Sequence, residues 1–176
     1  MRTIIAALLI AGIFALLGGV AVIYTGAYDV AATAPHWPVT HWVMETARIR
    51  SIKAHAAGIQ VPQNFDAPGN IPMGVEHFAA HCAVCHGAPG VPRGDIAHGL
   101  YPPPPDLAKT VKLYSDGELF WIVKNGIKMT GMPSFGADKP PVSDQAVWTI
   151  VAFLKKLSSV SSEEFKAWTA AQPGGH

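Results

Sequence analysis

The 176-residue sequence predicts an all-α protein, and three observations lead to this prediction. The first is an uncharged apolar run, Ile4 to Tyr24, which is long enough to cross a membrane as one helix. The second is the helical spacing of the apolar residues between 147 and 154. The third is that no segment shows the alternation of apolar and polar residues that is typical of a strand.

The composition excludes several classes of protein. A chain that is 49% hydrophobic and 14% charged is not a disordered polymer. Its 13 Lys and Arg residues nearly balance 12 Asp and Glu residues, so the net charge of +1 indicates no basic face for nucleic acid. The two cysteines exclude a scaffold held together by several disulfides.

Residues 1–28 are predicted to be a transmembrane anchor. The run of 21 uncharged residues covers the thickness of a hydrocarbon core at about 1.5 Å per residue. A cleaved signal peptide is the alternative, with Ala32-Thr33-Ala34 as the cleavage site. Its apolar core is expected to stop at about 15 residues, and Pro35 is a poor residue to follow such a site, so we expect an uncleaved anchor.

Residues 29–72 are predicted to be a connector that contains a juxtamembrane helix and a linker. The helix is expected over His41 to Ala57, with Thr40 as its amino-terminal cap and Gly58 as its stop. It either lies on the membrane surface or docks on the domain that follows. The Pro-, Asn- and Gly-rich stretch from Gln60 to Pro72 is interpreted as the linker.

Residues 73–160 are predicted to form the main domain, and residues 161–176 a short carboxy-terminal helix and tail. Capping signals mark the helices that follow Ser115 and Ser161, because each serine has a glutamate three residues later. The expected helices are 74–81, 115–126, 143–157 and 161–171. Four consecutive prolines at 102–105 exclude a helix or a central strand between the first two.

The chemistry of the domain is indicated by Cys82-Ala83-Val84-Cys85-His86, a C-x-x-C-H pattern typical of c-type haem attachment. Two thiols three residues apart on one turn can reach the same haem, and His86 follows as the proximal iron ligand. A thioredoxin-like pair would need a βαβ context, and a zinc site would need two further ligands. Neither is indicated by the sequence.

A second iron ligand is expected downstream of this motif. Met132, in Gly131-Met132-Pro133, is the best candidate, because a thioether is a soft neutral ligand that raises the reduction potential. Met129 lies only three residues earlier and is the competing candidate.

With these motifs, residues 73–157 resemble a class I, single-haem c-type cytochrome. The resemblance covers about half of the chain. It rests on the Cys82–His86 motif, the stretch from Pro102 to Leu107, the Asn125-Gly126 turn and the segment from Lys128 to Gly136. The helix around Trp148 also fits.

The resemblance implies a site residue by residue. Cys82 and Cys85 would form thioethers to one covalent haem c, and His86 and Met132 would be the axial ligands. A proline carbonyl in the 102–105 run would accept the other ring proton of His86.

Aromatic residues are also given roles by the resemblance. Phe78 and Trp148 would meet where the first and last helices of the domain cross. Tyr101, Trp121 and Phe135 would line the haem pocket or reach the haem propionates; the alternative is that they pack in the core.

An iron with two protein ligands exchanges electrons and has no position for a small-molecule substrate, so we expect an electron-transfer protein rather than an enzyme. It would be a membrane-bound carrier or the cytochrome subunit of a respiratory or dehydrogenase complex, with redox proteins as partners. Because such haems are attached on the periplasmic face in bacteria, the resemblance implies a single-pass protein of the inner membrane with a periplasmic domain. A haem sensor or small peroxidase with a labile Met132, or a subunit whose haem is incidental, are the alternatives.

Overall fold

A computed structural model describes residues 1–137 and 139–171, which excludes Asp138 and the end of the predicted tail. The chain divides into two compact units, Met1–Pro35 and the residues from His36 onward. All regular elements in the described ranges are helical, as the sequence predicts. The one extended pairing there is a single antiparallel bridge between Ala88 and Val91.

The first unit contains one long helix, α1 (Arg2–Thr25). Its 24 residues extend for about 36 Å, which exceeds the roughly 30 Å of a hydrocarbon core. None of its side chains is buried, and the helix is apolar enough to cross a membrane. It ends at Gly26, whose φ of 68° is the left-handed conformation common after a helix.

The second unit begins with α2 (Pro38–Ala56), which is the predicted juxtamembrane helix. The prediction of Thr40 as its cap is wrong, because the helix begins at Pro38, three residues before the expected start at His41, and Trp37 occupies the cap position. Pro38 explains this start, since a proline has no N–H to leave unbonded and its φ suits the first helical position. Of the two alternatives for this helix, the structure shows docking: Ile52 and Ala56 are buried.

The predicted linker is irregular but is packed against the domain. Phe65 is buried, with its ring centroid 5.1 Å from that of Trp148. The Asn70 side-chain amide donates a hydrogen bond of 2.8 Å to the carbonyl of Phe65. A short 3₁₀ turn, Pro68–Asn70, then leads into the first helix of the predicted domain.

Three consecutive helical pieces lead to the C-x-x-C-H motif. They are α3 (Ile71–His77), a wide π-helical turn (Phe78–Cys82) and α4 (Ala83–His86). The first piece crosses α8 (Asp144–Lys156), where Gly74 lies directly against the backbone of Thr149.

The aromatic partners at this crossing differ from the expectation. Phe78 packs edge to face on Phe153, with ring centroids 5.0 Å apart, rather than on Trp148. Trp148 instead stacks on Phe120 at 4.5 Å. The close approach of the helices at Gly74 sets this register, which the sequence pattern alone does not determine.

The remaining helices begin where the capping signals predict. Ser115 and Glu118 form a capping box at α7 (Asp116–Asn125), with reciprocal hydrogen bonds of 3.3 and 2.7 Å. Ser161 and Glu164 form the same arrangement at α9 (Ser162–Ala170). The short helices α5 (Asp95–His98) and α6 (Leu107–Thr110), and 3₁₀ turns at Val111–Leu113, Phe135–Ala137 and Leu157–Ser159, complete the unit.

Candidate functional site

The motif residues and the predicted methionine line one cavity in the second unit. The cavity has two adjoining lobes with volumes of about 630 and 1400 Å³, including the solvent at their mouths. Among the residues that the structure describes, six line both lobes: Arg48, Cys82, His86, Ile127, Met132 and Phe135. Cys85 lines the first lobe. The structure therefore brings together the four residues that the sequence predicts as the site.

His86 has a defined orientation because its Nδ1 atom lies 3.0 Å from the carbonyl oxygen of Pro105. A carbonyl only accepts hydrogen bonds, so Nδ1 carries the proton and donates it. The other ring nitrogen, Nε2, then has a lone pair for a metal. The expectation that a proline carbonyl of the 102–105 run holds this ring is confirmed, and the acceptor is Pro105.

The protonation state of His86 also suits a metal ligand. Burial lowers the pKa of the imidazole, the hydrogen bond to Pro105 opposes this shift, and the positive charge of Arg93 adds to it. The net lowering favours the neutral ring at neutral pH. A neutral imidazole is the form that binds a metal.

The backbone that carries His86 is fixed by the loop that follows it. The helix α4 ends because Gly87 adopts a φ of 73°, which favours glycine. The chain then turns at Gly90, and Ala88 and Val91 exchange two backbone hydrogen bonds of 2.9 Å. The N–H of Gly94 donates to the carbonyl of Val84 at 2.9 Å, so the loop returns to α4.

Met132 lies in a loop with many internal hydrogen bonds. Its N–H donates to the Thr130 hydroxyl at 3.1 Å, and that hydroxyl donates to the carbonyl of Ile127 at 2.7 Å. The carbonyl of Met132 accepts from the N–H of Ile127 at 3.2 Å. Met129 does not line either lobe and the residue is 74% exposed, so of the two candidate methionines only Met132 lines the cavity.

The same loop is attached to the end of α7. The Ser134 hydroxyl donates to the carbonyl of Lys124 at 2.8 Å. Gly126 has a φ of 66° and a ψ of −171°, a combination almost restricted to glycine. A Cβ atom at this position would lie 2.6 Å from the backbone of Pro133, so the close approach also requires glycine.

The two cysteines are free thiols in half-buried positions. Burial, and secondarily the neighbouring Cys85, raise the pKa of Cys82 to about 12. Cys82 is therefore a protonated thiol at neutral pH, and such a thiol is a weak nucleophile.

Of the three aromatic residues expected at the site or in the core, only Phe135 lines the cavity among the described residues. The Tyr101 hydroxyl instead accepts a hydrogen bond of 2.9 Å from the N–H of His36. Trp121 packs against the ring of His55, with centroids 5.6 Å apart. Both aromatic side chains are used to attach segments of the chain that precede the predicted domain.

Sequence reasoning missed the contribution of α2 to the cavity. Arg48 lines both lobes, and Ile49 and Ile52 line the larger one. The signal that could have indicated it is the i, i+3, i+7 spacing of Ile49, Ile52 and Ala56, which forms a narrow apolar face on a polar helix.

The donor set fits a c-type haem. It offers an imidazole with a free Nε2, a thioether, two thiols one helical turn apart, and mostly apolar walls. Bound there, a haem supplies a one-electron Fe(III)/Fe(II) couple.

Residues 69–154 match a family model described as cytochrome C oxidase, cbb3-type, subunit III. Over this segment the chain is similar to a c-type cytochrome. No curated protein matches the chain. The cytochrome domain follows an amino-terminal apolar helix, which is the layout of a membrane-anchored single-haem cytochrome c. Haem-based electron transfer is the function that this family supports.

Proposed function

We propose that the chain transfers electrons through one covalently bound haem c, with His86 and Met132 as the axial ligands. The observation that carries this proposal is the convergence of His86, Met132, Cys82 and Cys85 on one cavity. The hydrogen bond from His86 to Pro105 supports it further, because it presents the ligating nitrogen. Cys82 and Cys85 form the two thioethers, and two cysteines suffice for one haem.

The Met132 loop favours an electron carrier over a sensor or peroxidase. A sensor or peroxidase needs an axial ligand that leaves the iron, whereas an electron carrier keeps the same ligands in both redox states. The hydrogen bonds to Ile127 and Thr130, and the backbone contact of Gly126 with Pro133, restrain the loop that would have to move.

The membrane layout supports a role in a larger assembly. We propose that α1 anchors the protein in the bacterial inner membrane and that the cytochrome domain faces the periplasm. The protein is then a membrane-bound carrier or the cytochrome subunit of a respiratory or dehydrogenase complex, with redox subunits as partners. The description of the matching family, a subunit of an oxidase, favours the second of these roles.

Spectroscopy of the purified full-length protein in detergent tests the haem proposal. We expect one haem per chain that survives denaturing electrophoresis, because it is covalently bound. The ferric protein should show the weak long-wavelength band of a thioether-to-iron charge transfer, and carbon monoxide should not change the ferrous spectrum. Carbon monoxide binding to the wild type would contradict a saturated iron and favour the sensor or peroxidase.

The topology and the partners need separate measurements. Protease added to intact spheroplasts should digest the cytochrome domain if it is periplasmic, and should spare it if it is cytoplasmic. Mild solubilisation followed by native electrophoresis with haem staining should give a band much larger than 18.6 kDa if the protein is a subunit. A band of the monomer in its detergent micelle would instead support a free carrier.

A further inference from the structure

The helix α2 forms one wall of the haem cavity, although it precedes the segment that matches the family model. Ile49 and Ile52 line the larger lobe, and Ile52 is only 1% exposed. Glu45, Arg48 and Lys53 are the charged residues of α2 that line the cavity. This wall therefore carries three charged side chains, and Glu118 of α7 is a further charged residue that lines the larger lobe.

Arg48 has an incomplete set of hydrogen-bond partners at this wall. Its Nη2 atom donates to the Glu45 carboxylate at 2.6 Å. Its Nε atom is buried and has no partner among the described residues. In native proteins a buried donor rarely lacks a hydrogen-bond partner. A missing partner destabilises the folded state most when the donor group is charged. A buried Nε–H beside a ligand cavity indicates an acceptor supplied by the ligand.

We propose that Arg48 binds a propionate carboxylate of the haem through its free Nε–H. The inference rests on the proposed haem site. It assigns to α2 a role in binding the haem and in setting its reduction potential. A haem has two carboxylates, and the guanidinium group is the side chain best suited to bind a carboxylate. Lys53 is the other basic residue of this wall, but its side chain is exposed and it lines only the larger lobe.

A cation at this position affects the redox equilibrium. Reduction adds one negative charge to the haem, so a nearby guanidinium stabilises the ferrous state and raises the reduction potential. Glu45 has the opposite effect, because its carboxylate partly neutralises Arg48 and itself disfavours the added electron. Neutralising Arg48 and neutralising Glu45 should therefore shift the reduction potential in opposite directions.

Potentiometric titration of full-length variants in detergent tests this inference. Arg48→Gln should lower the reduction potential by about 59 mV, which corresponds to a tenfold change in the equilibrium constant of a one-electron couple. Glu45→Gln should raise it. Arg50→Gln is the matched control, because Arg50 lies on the same helix, is exposed and lines neither lobe.

Resonance Raman spectroscopy distinguishes the hydrogen bond from the charge alone. Arg48→Lys keeps the positive charge but removes the Nε–H donor, so its potential should stay near the wild-type value while the propionate bending bands shift. This variant also decides the question if Arg48→Gln does not accumulate with haem.

Two results would overturn the inference. One is that Arg48→Lys leaves the propionate bands at their wild-type positions. The other is that Arg48→Gln binds haem and has the same potential as Arg50→Gln. A wild-type protein that binds no haem would refute the proposed function. A wild-type protein that binds haem, with Arg48 variants that behave like it, would refute only the role of Arg48.

Discussion

His86 and Pro105 are joined by a hydrogen bond of 3.0 Å between the Nδ1 atom and the backbone carbonyl oxygen. The bond fixes the tautomer of the imidazole and the rotation of its ring. Donation from Nδ1 also makes Nε2 a stronger base. In the proposed haem site, a more basic ligand would stabilise ferric iron over ferrous iron, so this bond would lower the reduction potential.

Pro105→Gly should weaken this bond, because glycine frees the backbone that holds the carbonyl in place. We expect the reduction potential to rise by less than about 59 mV, the shift that corresponds to a tenfold change in the equilibrium constant of a one-electron couple. In the NMR spectrum of the ferrous protein, the Nδ1 proton of His86 should exchange faster with solvent.

Pro103→Gly is the control for this change. Pro103 lines the same cavity, but its carbonyl does not accept the bond from His86. Equal exchange rates in the two variants would mean that the Pro105 carbonyl does not restrain the proton.

Met132→Ala should remove the sixth iron ligand. The charge-transfer band should disappear, the reduction potential should fall because the thioether favours ferrous iron, and carbon monoxide should bind the ferrous haem. Absorption spectra and a redox titration measure all three effects. Met129→Ala should leave them unchanged, since Met129 is exposed and lines neither lobe; a loss of the band in this variant instead would reverse the ligand assignment.

The sequence predicted most reliably those features that depend on a few neighbouring residues. The capping boxes at Ser115 and Ser161 and the positions of Cys82 and Cys85 one helical turn apart depend on local spacing, and the structure has them as expected. The prediction of Thr40 as a cap was wrong for a local reason as well. Pro38 suits the first helical position, so the helix begins there and Thr40 lies inside it.

Features that depend on tertiary packing were not predictable in the same way. The four prolines at 102–105 all present carbonyls, and only the fold decides that Pro105 faces His86. The pairing of Phe78 with Phe153 follows from the depth at which α3 and α8 cross. Arg48 and its neighbours on α2 lie far before Cys82 in the sequence, so no local motif connects them to the predicted ligands.

Gly126→Ala should loosen the Met132 ligand. Alanine is strained at a φ of 66° and a ψ of −171°, and its Cβ would lie 2.6 Å from the Pro133 backbone, so the loop has to move. We expect a weaker charge-transfer band and partial binding of carbon monoxide to the ferrous protein.

Gly58→Ala is the control for this variant, because a Cβ at Gly58 would meet nothing within 4 Å. It should have the wild-type spectrum and should not bind carbon monoxide. A normal charge-transfer band in Gly126→Ala would show that the contact with Pro133 does not restrain Met132.

Gly74→Ala should destabilise the domain without changing the iron ligands. A Cβ at this position would overlap the carbonyl oxygen of Thr149 and lie 2.9 Å from the Cβ of Phe153, and neither neighbour is the flexible end of a side chain. The helices α3 and α8 therefore have to separate, which costs about 3 kcal/mol, the upper end for overpacking in a core. Thermal unfolding followed by circular dichroism should show a midpoint lower by about 10 °C.

Gly69→Ala separates this steric effect from the general effect of replacing a glycine. Gly69 lies five residues earlier, and a Cβ there would meet nothing within 4 Å. Alanine at this position restricts the unfolded chain, so the unfolding midpoint should stay the same or rise slightly. Similar losses of stability in the two variants would contradict a helix crossing that depends on close contact at Gly74. A ferric spectrum that retains the charge-transfer band in Gly74→Ala would show that the crossing stabilises the domain independently of the Met132 loop.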